Sequence, residues 1–239
     1  KQLTSLHYSS LMVFVSHFFI LYDLIQIRAA IASSFLLLLI KPLYDRNLTK
    51  FIVFSAFAIG FHYSASIFIL FWFVNTKKIG NTIYVIPIVY LLNLSGFTLT
   101  TVIDLIPFAP IQSLFNMYKY DSVAGLGTTV NIYNLLQIFR CLMCLIMTVF
   151  IYKLECINKY SIVLLKIYTY GCALFVLFSD ISVVAFRLSD LLIIVEIILI
   201  PILIATFIHK KLLYKLSISL ISIAFYIISI YYLNLLDLN

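Results

Sequence analysis

The sequence predicts an all-α membrane protein, a polytopic transmembrane helix bundle of about eight spans that forms one domain over residues 1–239. Hydrophobic residues make up 64% of the chain and charged residues only 10%, which leaves too little polar surface to cover a water-soluble globule. Apolar windows of about 20 residues, the length of a membrane-spanning helix, recur along the chain. Because these windows lack strict alternation of apolar and polar residues, they predict helices rather than barrel strands.

Short polar turns separate the predicted spans. The second span returns to a basic turn containing Lys41, Arg46 and Lys50, which should face the cytosol. The net charge of +7 does not indicate nucleic-acid binding, because the lysines lie beside span ends, where they orient the spans in the membrane. In chain order we expect spans at residues 6–22, 26–43, 51–74, 82–99, 132–152, 160–178, 188–208 and 212–235.

The third apolar stretch, residues 51–74, conflicts with the positive-inside rule. Lys77 and Lys78 follow it and should be cytosolic, as should the later lysine-rich turns, and counting crossings then leaves one too few. One resolution is a broken or re-entrant pair of half-helices with its bend near His62. Non-helical backbone of this kind is tolerated inside the membrane where it lines a cavity. The alternatives are an extra span at residues 97–116, or two lysines that violate a statistical rule. We favour the broken segment.

Residues 100–137 form the one long segment outside the predicted spans, and we expect an extracytoplasmic loop there. A long loop in a compact bundle is usually functional or disordered. Its aromatic residues alternate with amides and carboxylates, which suits sugar rings because aromatic faces pack on apolar sugar surfaces while polar groups bind hydroxyls. Tyrosines also populate membrane interfaces, so both interpretations stay open. The candidate sugar contacts are Asp104, Tyr118, Tyr120 and Asp121.

Arginine is scarce in this chain and unevenly placed. Three of the four arginines, Arg28, Arg140 and Arg187, are predicted toward the outer face, whereas lysine supplies most of the cytosolic turns. Guanidinium groups bind phosphate oxygens bidentately and tolerate partial desolvation better than ammonium groups, so a lipid-linked phosphate or diphosphate is the ligand they favour. The alternative for each arginine is a salt bridge to a nearby aspartate, such as Asp23 beside Arg28.

Two further ionisable residues lie inside predicted spans. A charged side chain near mid-bilayer costs on the order of 3 kcal/mol on insertion scales, so each is a candidate site residue. His62 has a side chain whose ordinary pKa suits proton transfer, although a lone histidine in a bundle is often a structural hydrogen-bonding group. Glu196 either neutralises Arg140 or stays protonated, and the sequence does not choose between these.

Three motifs carry a family resemblance. They are IRAAIASSFLLLL with Arg28, FHYSASIFIL with His62, and FRLSDLLIIVEIILIP with Arg187. With these motifs the chain resembles the EpsG family, which belongs with the Wzy-type O-antigen (polysaccharide) polymerases. The resemblance implies a glycosyltransferase of the bacterial inner membrane whose active site faces the periplasm. Such an enzyme joins undecaprenyl-diphosphate-linked oligosaccharide repeat units and requires no metal or other cofactor.

The resemblance also implies roles for the matching residues, with Arg28, His62 and Arg187 as the catalytic set. Arg28 and Arg187 are expected to bind the diphosphate, with Arg140 as an addition, and His62 to act as a base or to orient the acceptor hydroxyl. The implied partners are undecaprenyl-diphosphate-linked oligosaccharides, membrane lipids and a chain-length regulator protein. Family members are usually longer at the N-terminus, so we expect spans that precede Lys1 to be missing from this sequence. A flippase or transporter of lipid-linked oligosaccharide would also need outward arginines and is the main alternative.

Overall fold

The architecture is helical throughout the part of the chain that can be described. The computed structural model describes residues 3–19, 26–98, 112–113, 116 and 130–232. Helix accounts for 80% of these residues and none of them is in a β-strand, which confirms the all-α class.

The helices follow the predicted apolar segments closely, although several segments are broken. In chain order they are α1 (His7–Val13, continued by a π-helical turn at Phe14–Phe18), α2 (Ile27–Tyr44), α3 (Leu48–Phe61), a 3-10 helix (Tyr63–Phe73), α4 (Thr82–Leu94), α5 (Leu135–Val149), α6 (Ile151–Ile157), α7 (Ser161–Leu177), α8 (Ser182–Ile193), α9 (Glu196–Phe207) and α10 (Lys211–Ile227, continued by a π-helical turn at Ile228–Tyr232).

Fewer than eight helices of the described ranges meet the length and composition of a membrane span. In the described ranges, two helices are long and apolar enough to cross a membrane, α2 and the segment Lys211–Ile230 that begins with α10. Two bent pairs of helices raise the number to four if each pair is one span. The chain bends by 79° between α5 and α6 and by 51° between α8 and α9. Eight spans are therefore not confirmed.

Helix α7 forms the centre of the bundle. Of its 17 residues 14 are buried, and α4, α5, α6, α8 and α9 all pack against it. Gly171 permits the close crossing with α8, because a Cβ atom at this position would lie 3.1 Å from both Leu192 Cβ and Ile193 Cγ1. Both neighbours are fully buried, so they have little room to move aside. The fixed position of α8 matters for the site described below.

The turns that carry most of the lysines lie together at one end of the bundle. The ammonium groups of Lys77 and Lys159 lie 5.9 and 5.7 Å from the ring centroid of Tyr44, at the end of α2. At the same end, the amide of Asn158 donates to the carbonyl oxygen of Leu3 at 2.7 Å, which brings in the start of the chain. We refer to this end as the lysine-rich end.

The predicted break in residues 51–74 is present, and the segment returns to the end where it begins. Helix α3 starts just after Arg46 and ends before His62, whose backbone is extended with φ −149° and ψ 108°. The 3-10 helix then runs back, so that the guanidinium of Arg46 donates to the backbone carbonyl oxygens of Trp72 and Val74. Fourteen residues of α3 rise only about 21 Å, less than the roughly 30 Å of a hydrocarbon core. The break puts His62 at the tip of this returning pair.

Candidate functional site

An open cleft of about 500 Å³ lies at the end of the bundle opposite the lysine-rich end. It is formed by the first turn of α2, by the tip between α3 and the 3-10 helix, and by α8. The residues that line it are Gln26, Ile27, Arg28, Ala29, Phe61, His62, Tyr63 and Arg187. The structure therefore brings Arg28, His62 and Arg187 together, although each comes from a different part of the chain.

The packing of α8 explains this convergence. Helix α8 contacts both α2 and the 3-10 helix, so its outer face adjoins the start of the first and the tip that precedes the second. Both Arg28 and Arg187 are exposed, whereas Ala29 and Ala185 beside them are buried and hold the two helices against the bundle. The two guanidinium groups are consequently presented to the cleft from two fixed helices.

His62 lies at the tip between α3 and the 3-10 helix, close enough to Arg28 and Arg187 to interact electrostatically with both. Partial burial lowers the pKa of His62, and the positive charges of Arg187 and Arg28 lower it further. The imidazole is therefore neutral at pH 7 and can accept a proton. Its Nε2 atom is buried and has no hydrogen-bond partner within the described parts of the chain. This nitrogen therefore makes no hydrogen bond that stabilises the described structure.

The residue types of the cleft suit anion binding and proton transfer. Two arginines and no aspartate or glutamate are among the described residues that line it. Tyr63 and Phe61 flank the histidine and are 54% and 44% exposed, so part of each aromatic side chain is accessible at the cleft. Such a site favours a ligand that has several phosphate oxygens next to an apolar or sugar surface.

Arg140 does not line the cleft. It is 6% exposed in α5, and its Nη2 atom lies 3.3 Å from Nε2 of His17. The opposite nitrogen of this ring, Nδ1, lies 3.1 Å from Oγ of Ser229, and the ring stacks on Phe225 at 4.9 Å. The expected contribution of Arg140 to diphosphate binding does not fit this interior position, because burial among helices separates it from Arg28 and Arg187.

Sequence reasoning missed the partner of Arg140. His17 lies in the first predicted span and is 4% exposed, so the rule that singled out His62 also applies to it. Glu196 lies near the same arginine, which interacts electrostatically with it, and accepts a hydrogen bond from the hydroxyl of Tyr168 at 3.2 Å. These residues form a buried polar network rather than a ligand site.

The remaining predicted site residues lie outside the described residues. This is true of Asp23, and of the sugar contacts Asp104, Tyr118, Tyr120 and Asp121, whose roles stay predictions. Among the residues that are described, no group of three or more His, Cys, Asp or Glu side chains is arranged to hold a metal ion.

Comparison with known proteins gives one match. The model of the EpsG family matches residues 1–237, which is nearly the entire sequence and includes all the described residues of the cleft. No curated protein and no solved structure matches the chain.

Proposed function

Because this chain belongs to the EpsG family, whose members are Wzy-like polymerases, we propose that it joins lipid-linked oligosaccharide repeat units into a surface polysaccharide. The repeat units are carried on undecaprenyl diphosphate, and the product is O-antigen or a related polymer. The observation that carries the proposal is the convergence of Arg28, His62 and Arg187 in one open cleft. Phosphate binding and proton transfer are the two functions such a transfer requires.

In the proposed reaction, a hydroxyl oxygen of one repeat unit attacks the anomeric carbon of the growing chain. The bond between that carbon and the diphosphate oxygen breaks, and undecaprenyl diphosphate leaves with the bonding electrons. Negative charge therefore develops on the diphosphate, where the guanidinium groups of Arg28 and Arg187 stabilise it. The hydroxyl proton passes to the neutral imidazole of His62, which acts as the general base.

The position of the cleft supports a reaction on the periplasmic side of the inner membrane. Lysine-rich turns are concentrated in the cytosol in membrane proteins, and in this chain they lie at one end of the bundle. The cleft is at the other end, beside the first turn of α2. Lipid-linked units delivered to the outer leaflet would reach it without crossing the bundle.

A reconstituted reaction tests this proposal. The purified protein in lipid nanodiscs is given a synthetic repeat unit on a polyprenyl diphosphate, and the products are separated by size. We expect a ladder of longer chains that is strongly reduced in Arg187→Gln and in His62→Ala, while Lys41→Gln, which removes a charge at the lysine-rich end of α2, retains it. A flippase would give no ladder but would move the same substrate across liposome membranes, and that result would overturn the polymerase assignment.

A further inference from the structure

A second cleft, unrelated to the proposed active site, lies at the lysine-rich end between α1 and α10. It has a volume of about 460 Å³ and includes side chains from both helices. Lys211 and Lys215 lie on the α10 side, and both are exposed. The hydroxyl of Tyr214 lies 2.9 Å from Oγ of Ser9, and this hydrogen bond joins α10 to α1 within the cleft.

The positive charge of this cleft is not balanced by the helices that form it. Lys211 and Lys215 are one helical turn apart on the same face, where like charges repel. They also occupy the first turns of α10, where the helix dipole is positive and disfavours further positive charge. Neither α1 nor α10 contains an aspartate or glutamate. A bound anion would relieve both unfavourable interactions.

The depth of the cleft places this charge at the level of lipid headgroups. The span Lys211–Ile230 begins at Lys211 itself, so the lysine pair lies at the boundary of an apolar segment of 20 residues. Leu212 and Leu216 are 71% and 51% exposed beside the lysines, as expected for a helix face that contacts lipid. Tyr8 on the other wall is 82% exposed, which is typical of an aromatic residue at a membrane interface.

The cleft has its two lysines near the lysine-rich end and includes large apolar side chains further along both helices. Both α1 and α10 run away from the lysine-rich end, so Ser5, which precedes α1, and Lys211, the first residue of α10, lie nearest that end. Met12 and Ile218 lie about two turns further in. A free inorganic anion would use only the upper part. We propose that this cleft binds an anionic phospholipid, with its phosphate on Lys211 and Lys215 and an acyl chain over Met12 and Ile218.

This lipid site is tested with the full chain in neutral detergent micelles and phosphatidylglycerol as the probe. Bound lipid is counted by native mass spectrometry, and the shift in unfolding temperature is recorded over a lipid titration. Loss of one lysine from an anionic lipid contact weakens binding by about five-fold, so we expect Lys211→Gln/Lys215→Gln to bind phosphatidylglycerol about 30-fold more weakly. Lys77→Gln/Lys78→Gln, which removes the same charge from another turn at this end, should bind like the unmodified chain.

Two further arms distinguish a lipid from other anions. Phosphatidylcholine and inorganic phosphate should give neither the bound species nor the temperature shift, and Met12→Gln should weaken phosphatidylglycerol binding by reducing the contact with the acyl chain. Lys211→Arg/Lys215→Arg keeps the charge and should retain the lipid, which separates a specific loss from misfolding. Equal losses in the two glutamine pairs, or an equal effect of inorganic phosphate, would overturn the proposal. None of these readouts depends on polymerase activity.

Discussion

The guanidinium of Arg46 donates to the backbone carbonyl oxygen of Trp72, and this contact closes the returning pair formed by α3 and the 3-10 helix. Arg46 adopts a left-handed conformation with φ 56°, which is unfavourable for a residue with a side chain. Its ring contact with Trp72, 5.5 Å from guanidinium carbon to ring centroid, contributes to holding the turn. As a result, α3 begins and the 3-10 helix finishes at the lysine-rich end. The tip between them reaches the cleft.

This geometry predicts which side of the membrane each turn faces. Cys156, the one exposed cysteine of the four in the chain, provides an internal reference at the lysine-rich end. A cysteine introduced as Lys77→Cys should react with a membrane-impermeant thiol reagent from the same side as Cys156, whereas Tyr63→Cys should react from the opposite side. The comparison is made in inside-out and right-side-out vesicles. Labelling of positions 63 and 77 from one side would contradict the returning pair.

Replacement of Arg28 by lysine tests the requirement for a guanidinium. Arg28→Lys keeps the positive charge but loses the planar group that contacts two phosphate oxygens at once. Loss of one hydrogen bond to a charged group removes about 1.5–3 kcal/mol of binding, so polymerisation should fall roughly 10- to 150-fold while membrane insertion is unchanged. The rate is measured from the product ladder at equal protein. Full chain-length activity of Arg28→Lys would refute the diphosphate role.

The pH dependence of the reaction reports on His62. Its pKa is lowered below the ordinary value of 6.5, so the neutral base is present at pH 7 and is lost only as the pH falls through that lowered pKa. Activity should therefore decline on the acid side of neutrality. Removing one positive neighbour in Arg187→Gln raises the pKa of His62, which should move the acid decline of the residual activity to higher pH.

The control for this pH profile is Lys41→Gln, which removes a charge far from the cleft and should leave the decline in place. His62→Gln should lower the rate by about 10²- to 10⁴-fold, the usual contribution of a general base, and abolish the decline. A decline that stays at the same pH in both Arg187→Gln and His62→Gln would mean that another group titrates.

Substitution of His17 in the buried network should lower the stability of the protein rather than its catalytic rate. His17→Phe keeps a ring next to Phe225 but removes the nitrogen atoms that face Arg140 and Ser229. An unsatisfied buried group costs about 1–3 kcal/mol, so the unfolding free energy in detergent should fall by that amount. His7→Phe makes the same substitution at an exposed position of α1 and should have little effect. Equal stability of the two variants would contradict the role of His17.

The sequence singles out the three residues that meet in the cleft, although their roles there stay predictions. Arg28, His62 and Arg187 are conspicuous because ionisable groups are rare in apolar segments. The break at His62 followed from the order of the lysine-rich turns. The bends after Val149 and after Ile193 could not be predicted from the sequence, because no glycine or proline lies at either break. The interior position of Arg140 likewise depends on a helix pairing that periodicity does not specify.

The crossing of α7 and α8 links the stability of the bundle to the cleft. In Gly171→Ala the new Cβ would approach Leu192 and Ile193 to 3.1 Å, so these fully buried neighbours must shift by a few tenths of an ångström. Overpacking of this kind costs typically about 1–3 kcal/mol, and it also displaces α8, which carries Arg187. We expect a lower unfolding free energy and a weaker product ladder. Gly60→Ala is the matched control for stability, because its Cβ would meet no atom within 4 Å and alanine favours helix by about 1 kcal/mol. If Gly171→Ala proved as stable as Gly60→Ala, the close crossing would not be what fixes α8.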